Sequence, residues 1–144
     1  MRSYFIIVAL VFLLLAGCTM GKKNWPEAVT SEDSFALEIM SAERKDNCLL
    51  LQVNVTGAVD RLYRATIQYE QVGGEDGGCI DCPFVPRNAL HITRNQNNFV
   101  LNGNSLSMSI CALEPGVEYR FRVAGKSELP ATPLVFTNVF VTGP

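Results

Sequence analysis

Histidine and tryptophan are nearly absent from this sequence: His91 and Trp25 are the sole examples in 144 residues. No Gly-x-Ser-x-Gly elbow, His-Glu-x-x-His pair or glycine-rich phosphate loop occurs. The adjacent acids Glu75-Asp76 lie in a glycine-rich stretch with no apolar wall to shift a pKa, so they are expected to be solvated rather than to serve as a general acid and base. These absences argue against an enzyme and against a bound cofactor. Charge is sparse as well. Twelve basic and 14 acidic residues leave a formal net charge of −2, with no basic stripe and no basic-aromatic interleaving, so nucleic acid is not expected as a partner. After the first 17 residues no helical period of useful length appears, which excludes an α-helical domain.

What is present begins at the amino terminus. Met1-Arg2-Ser3-Tyr4 is a short positive start, and Phe5 to Ala16 is an unbroken apolar run. Twelve residues are too few to cross a hydrocarbon core of ~30 Å, so the run reads as the core of a signal peptide. It ends in Leu15-Ala16-Gly17-Cys18. This tetrapeptide, in this position, resembles the lipobox of bacterial lipoproteins, and that resemblance implies cleavage before Cys18 and acylation of Cys18. Several acyl chains on one residue anchor a protein stably. Thr19, rather than aspartate, follows the cysteine. By the same resemblance the expected address is the outer membrane, facing the periplasm. The division expected is a removed signal peptide over 1–17, a lipidated cysteine and flexible tether over 18–34, and a folded domain over 35–144. Lys22-Lys23 could touch anionic headgroups or simply solvate the tether, and Trp25 could sit at the membrane interface or pack on the domain.

From Ser34 onward the sequence alternates. Phe35, Leu37 and Ile39 precede a charged turn expected over Ala42–Asn47. Leu49, Leu51, Val53 and Val55 point one way along Cys48–Thr56. Tyr63, Ala65, Ile67 and Tyr69 do so along the next strand, and Leu106, Met108 and Ile110 along a later one. Short strands are expected at 89–93 and 99–101, and the last strand over Leu134–Thr142. On this parity Arg64, Glu118, Arg120 and Arg122 fall outward, onto a solvated sheet face with cross-strand pairs. Residues 72–86, with four glycines, two prolines and a Cys-x-x-Cys, form a long exposed loop.

The most specific stretch is Leu113-Glu114-Pro115-Gly116-Val117-Glu118-Tyr119-Arg120-Phe121-Arg122-Val123. Pro115-Gly116 makes a tight turn, and a strand with one apolar and one charged face follows. Leu113, Pro115, Gly116, Tyr119 and Val123 resemble the Leu-x-Pro-Gly-x-x-Tyr-x-x-x-Val corner of fibronectin type III domains. There the tyrosine is buried and its hydroxyl bonds back to the corner backbone. The implied fold is an all-β fibronectin type III or immunoglobulin-like sandwich of about seven antiparallel strands. Two features depart from the family: the second strand lacks a core tryptophan, and the loop at 72–86 is long.

Four cysteines remain beside Cys18, and in an extracytoplasmic protein they suggest disulfides with three possible pairings. In a fibronectin-type sandwich the strand opened by Cys48 neighbours the strand closed by Cys111, so the resemblance implies a Cys48–Cys111 bridge and leaves Cys79 to Cys82. Three roles stay open for Cys79-Ile80-Asp81-Cys82: a small structural disulfide, a redox-active pair, and two ligands of a metal site. Redox activity needs a depressed thiol pKa, which Glu75, Asp76 and Asp81 oppose. A zinc site needs four ligands, and His91 is nine residues away, so no metal is expected.

The function these features favour is a non-enzymatic, membrane-anchored module that binds a protein or an envelope polymer. Phe84 and Val85, flanked by Pro83 and Pro86, are the candidate contact, either presented to solvent or folded onto the sandwich. A thiol-redox or metal-handling lipoprotein is the alternative, and a purely structural envelope component the third.

Overall fold

The computed structural model describes residues 31–74 and 77–143. Cys18, the signal peptide and the tether through residue 30, with Lys22, Lys23 and Trp25, lie outside them, as do Glu75 and Asp76. The described chain is almost entirely antiparallel β-structure in two sheets, a β-sandwich. Strands β1 (Phe35–Lys45), β2 (Cys48–Gly57), β6 (Ser105–Ile110) and β5 (Val100–Asn102) form one sheet in the order β1-β2-β6-β5. The second sheet runs β4-β3-β7-β8, from β4 (Asn88–Thr93), β3 (Leu62–Gln71), β7 (Tyr119–Ser127) and β8 (Val135–Phe136). Strand β9 (Phe140–Thr142) also pairs with β7.

The core is the set of inward alternating positions. Leu49, Leu51, Val53 and Val55 of β2 are buried, as are Ala65 and Ile67 of β3, Leu106, Met108 and Ile110 of β6, and Phe121 and Val123 of β7. Each fully buried aliphatic or aromatic side chain contributes about 1.5–3 kcal/mol. Tyr69, Tyr119, Phe121 and Phe140 continue the core as an aromatic cluster, with ring centroids 5.4–6.1 Å apart.

Three local irregularities change what alternation alone predicts. The charged turn expected at Ala42–Asn47 is mostly strand: β1 runs to Lys45 and only Asp46-Asn47 turn, with Asp46 at φ 53°. Residues 41–45 find register partners in Cys48–Gln52, and an extra residue, Met40, is accommodated as a bulge between Ile39 and Ser41. Arg44 fixes this end. Its guanidinium donates to the carbonyls of Glu114 at 2.6 Å, Gly143 at 3.1 Å and Val117, and lies over the Tyr119 ring. A second bulge between Leu62 and Arg64 makes Leu62 the core residue and leaves Tyr63 exposed. The last strand, expected to be continuous, is split into β8 and β9. Thr137 bridges the break: its Oγ1 accepts the Val123 N–H at 2.9 Å, and its own N–H donates to the Val123 carbonyl.

The corner forms as the sequence implies. Gly116 adopts φ 76°, the Val117 N–H returns to the Glu114 carbonyl at 3.3 Å, and Leu113 and Tyr119 are buried. The Tyr119 hydroxyl accepts the Glu114 N–H at 3.1 Å, fastening the strand to the turn before it.

Candidate functional site: a disulfide loop closed over a buried arginine

The outer face of β3 and β7 is where the expected exposure fails most clearly. Glu70 and Arg120 are register partners on that face, and both are buried, at 2% and 3% exposure. They form an ion pair through Glu70 Oε1 and an Arg120 terminal nitrogen. The expected solvated position of Arg120 is therefore corrected. Alternation does place both side chains on the outer face, but the long loop folds back over this end of the sheet and removes it from water.

The loop attaches through its backbone. Arg120 donates to the carbonyls of Ile80 at 3.0 Å, Cys82 at 2.6 Å and Pro83 at 3.2 Å. The Cys79–Cys82 disulfide and the Cys82 N–H to Cys79 carbonyl bond of 3.2 Å hold these oxygens in a tight turn around the guanidinium. A buried cation is tolerated only where a counter-charge and acceptors meet it, and the loop supplies the acceptors that Glu70 alone cannot. Gly78 permits the approach: a Cβ there would stand 3.0 Å from Glu70 Oε1 and 3.1 Å from an Arg120 terminal nitrogen. Upstream, the Gly73 and Gly78 backbone bonds close the loop's base against Gln71 and Val72.

The candidate pair Phe84-Val85 divides. Phe84 is half-buried and folds down, its ring centroid 5.7 Å from the Arg120 guanidinium and 5.1 Å from that of Arg122. Val85 stays 61% exposed, and Ile80, on the rim of the disulfide turn, 52%. Arg122 is also no freely solvated charge. It lies between Phe84 and Phe136, 4.3 Å from the second ring centroid, and donates to Gln68 at 2.6 Å. Ile80 was not singled out from sequence, because the side-chain pattern of a loop does not show which way its turn will face.

Cys48 and Cys111 form the expected cross-strand bridge between the start of β2 and the end of β6. All four described cysteines are thus paired, and among the described residues no group of three or more His, Cys, Asp or Glu could hold a metal ion. His91 stands apart from the loop cysteines on β4, its Nδ1 2.9 Å from Thr66 Oγ1. No helix among the described residues is long and apolar enough to cross a membrane.

No protein-family model matches the chain. Among curated proteins, the glutamine-hydrolyzing GMP synthase of Colwellia psychrerythraea is 26% identical over 120 residues, which cover 83% of this chain and 21% of that enzyme. The chain therefore spans about a fifth of the length of that relative. Among solved structures, chitinase ChiW from Paenibacillus sp., a bacterial cell-surface-expressed multi-modular enzyme, matches with a TM-score of 0.51 at 14% identity. The match covers 89% of this chain and 10% of that one, and it shows the sandwich fold alone.

Proposed function

We infer that the chain is a membrane-tethered, non-enzymatic binding module of the bacterial envelope, anchored through acylated Cys18 and presenting its β-sandwich to a protein or envelope polymer. The observation that carries this reading is the loop clamp. Ile80 and Val85 are exposed apolar side chains on a segment held by a disulfide, by three carbonyl bonds to Arg120 and by the Phe84 ring. A contact surface fixed before binding loses little conformational entropy when it is engaged. The lipobox-like Leu15-Ala16-Gly17-Cys18 supports the tether. Cys18→Ala is expected to abolish acyl labelling and release the protein from the membrane fraction.

Pull-down from envelope extract with Ile80→Asp and Val85→Asp variants tests the loop. Partner recovery should fall at least about tenfold, the effect of losing a central contact worth 1.4 kcal/mol or more, while the melting temperature is kept. Undiminished recovery from a folded variant removes the loop from the account.

The solvent exposure of Cys79 and Cys82 favours a second reading, a thiol-redox lipoprotein acting through this bridge. It requires that Cys82→Ala abolish a disulfide-exchange activity of the folded domain. If the protein were purely structural in the envelope, every loop substitution would be silent.

A further inference from the structure

Beyond the loop, the same sheet face carries a second surface. Directly paired residues of neighbouring strands share a face, and the register fixes which residues stand together here. Arg64 pairs with Lys126 and Thr93, Thr66 with Ala124 and His91, Gln68 with Arg122, and Ala124 in turn with Phe136. Val141 pairs with Arg120 and so faces the same way. The result is two columns. Lys126 and Arg122 on β7, with Arg64 beside them on β3, make a cationic column. Phe136 and Val141, both exposed, make an apolar column on β8 and β9, next to exposed Leu134.

The charge is one-sided. The strands of this sheet contain a single carboxylate, Glu70, and it is buried against Arg120. Among the described residues no carboxylate pairs with Arg64, Arg122 or Lys126. Arg64 Nε is buried without a hydrogen-bond partner among those residues. The opposite sheet differs: β2, β5 and β6 carry no charged residue at all.

We propose that this face docks a protein segment carrying both acidic and apolar side chains. The proposal rests on the binding-module reading and adds the chemistry of the partner. Two features select a polypeptide. Lys126 and Arg122 are four residues apart on one strand, ~14 Å at ~3.4 Å per residue, so an extended segment running alongside meets them with acids at the same spacing. The apolar column lies one strand over, ~4.8 Å away. A uronate polymer or an anionic lipid headgroup would satisfy the cations and leave Phe136, Val141 and Leu134 in water; a peptide engages both columns.

The test uses a fluorescein-labelled peptide repeating Glu-Ser-Leu-Ser, which sends acids and leucines to one side of an extended chain. Fluorescence anisotropy should show saturable binding that weakens with salt, as charge pairs at an interface do. Arg64→Glu should weaken it about tenfold or more, Phe136→Ser several-fold, and Gln52→Glu on the opposite sheet not at all. Three results would overturn the proposal: no saturable binding, equal affinity for Arg64→Glu, or binding of polygalacturonate or phosphatidylglycerol vesicles as tight as that of the peptide and indifferent to Phe136→Ser. Failure here, with recovery in pull-down still dependent on Val85, overturns this face and leaves the binding module standing. Peptide binding with recovery independent of Val85 removes the loop instead.

Discussion

Arg120 occupies an outward position on a strand whose neighbours on that face, Arg122 and Lys126, are also cations, yet it is sealed from water with Glu70 beneath a loop. Removing one member of a buried pair strands the other charge and costs about 3–5 kcal/mol, whereas replacing both with apolar residues of similar volume is close to neutral. Arg120→Met alone should therefore lower the urea midpoint sharply, and the double variant Glu70→Met/Arg120→Met should recover much of the loss. Tyr119→Phe deletes the acceptor for the Glu114 N–H and should cost about 1 kcal/mol by the same measurement. Tyr69 supplies a pH signature. Its partial burial first, and the neighbouring Tyr119 second, raise its pKa above the ordinary value of 10.0. The folded state thus favours the neutral phenol, so this contribution is fully present below pH about 10 and lost as pH rises through the higher folded value. Ultraviolet difference titration should show a late-ionising tyrosine that Tyr69→Phe removes, with less alkaline destabilisation in the variant.

Strands and corner were the elements most legible from sequence, because burial of one face imposes a period of two. Leu49, Leu51, Val53 and Val55 report that period directly, and Leu113, Pro115, Gly116 and Tyr119 report a turn with few alternatives. What alternation could not show was each place where a residue is inserted or a distant segment intervenes. The bulge at Met40 carries β1 into its charged end, and the bulge after Leu62 turns Tyr63 outward. The burial of Arg120 depends on a loop 37 to 40 positions away in sequence. The two disulfides, both expected, act at different ranges. Cys48–Cys111 spans 63 positions and should stabilise the fold by about 4 kcal/mol in the loop-entropy model. Cys79–Cys82 spans only 3, so its work is local. Its selective reduction should speed amide exchange in the loop's turn around Arg120 and leave exchange in β2 and β7 unchanged. Gly78→Val should give the same local signature with the bridge intact, because its side chain would meet the ion pair.

At the scale of the whole molecule, a chain of net charge −2 presents one sheet face bearing Arg64, Arg122 and Lys126 with a rim of exposed apolar side chains, and an opposite sheet whose inner strands are uncharged. Such asymmetry is what the proposed binding module requires if it meets its partner from one side. The most direct test puts a photo-crosslinking residue at position 136 or position 52 of the full chain expressed in a bacterial cell, with Arg64→Glu added in a third variant. The account predicts a protein adduct from position 136 that position 52 does not give and that Arg64→Glu abolishes. Adducts of equal yield from both faces, or an adduct from position 136 that survives Arg64→Glu, would contradict it.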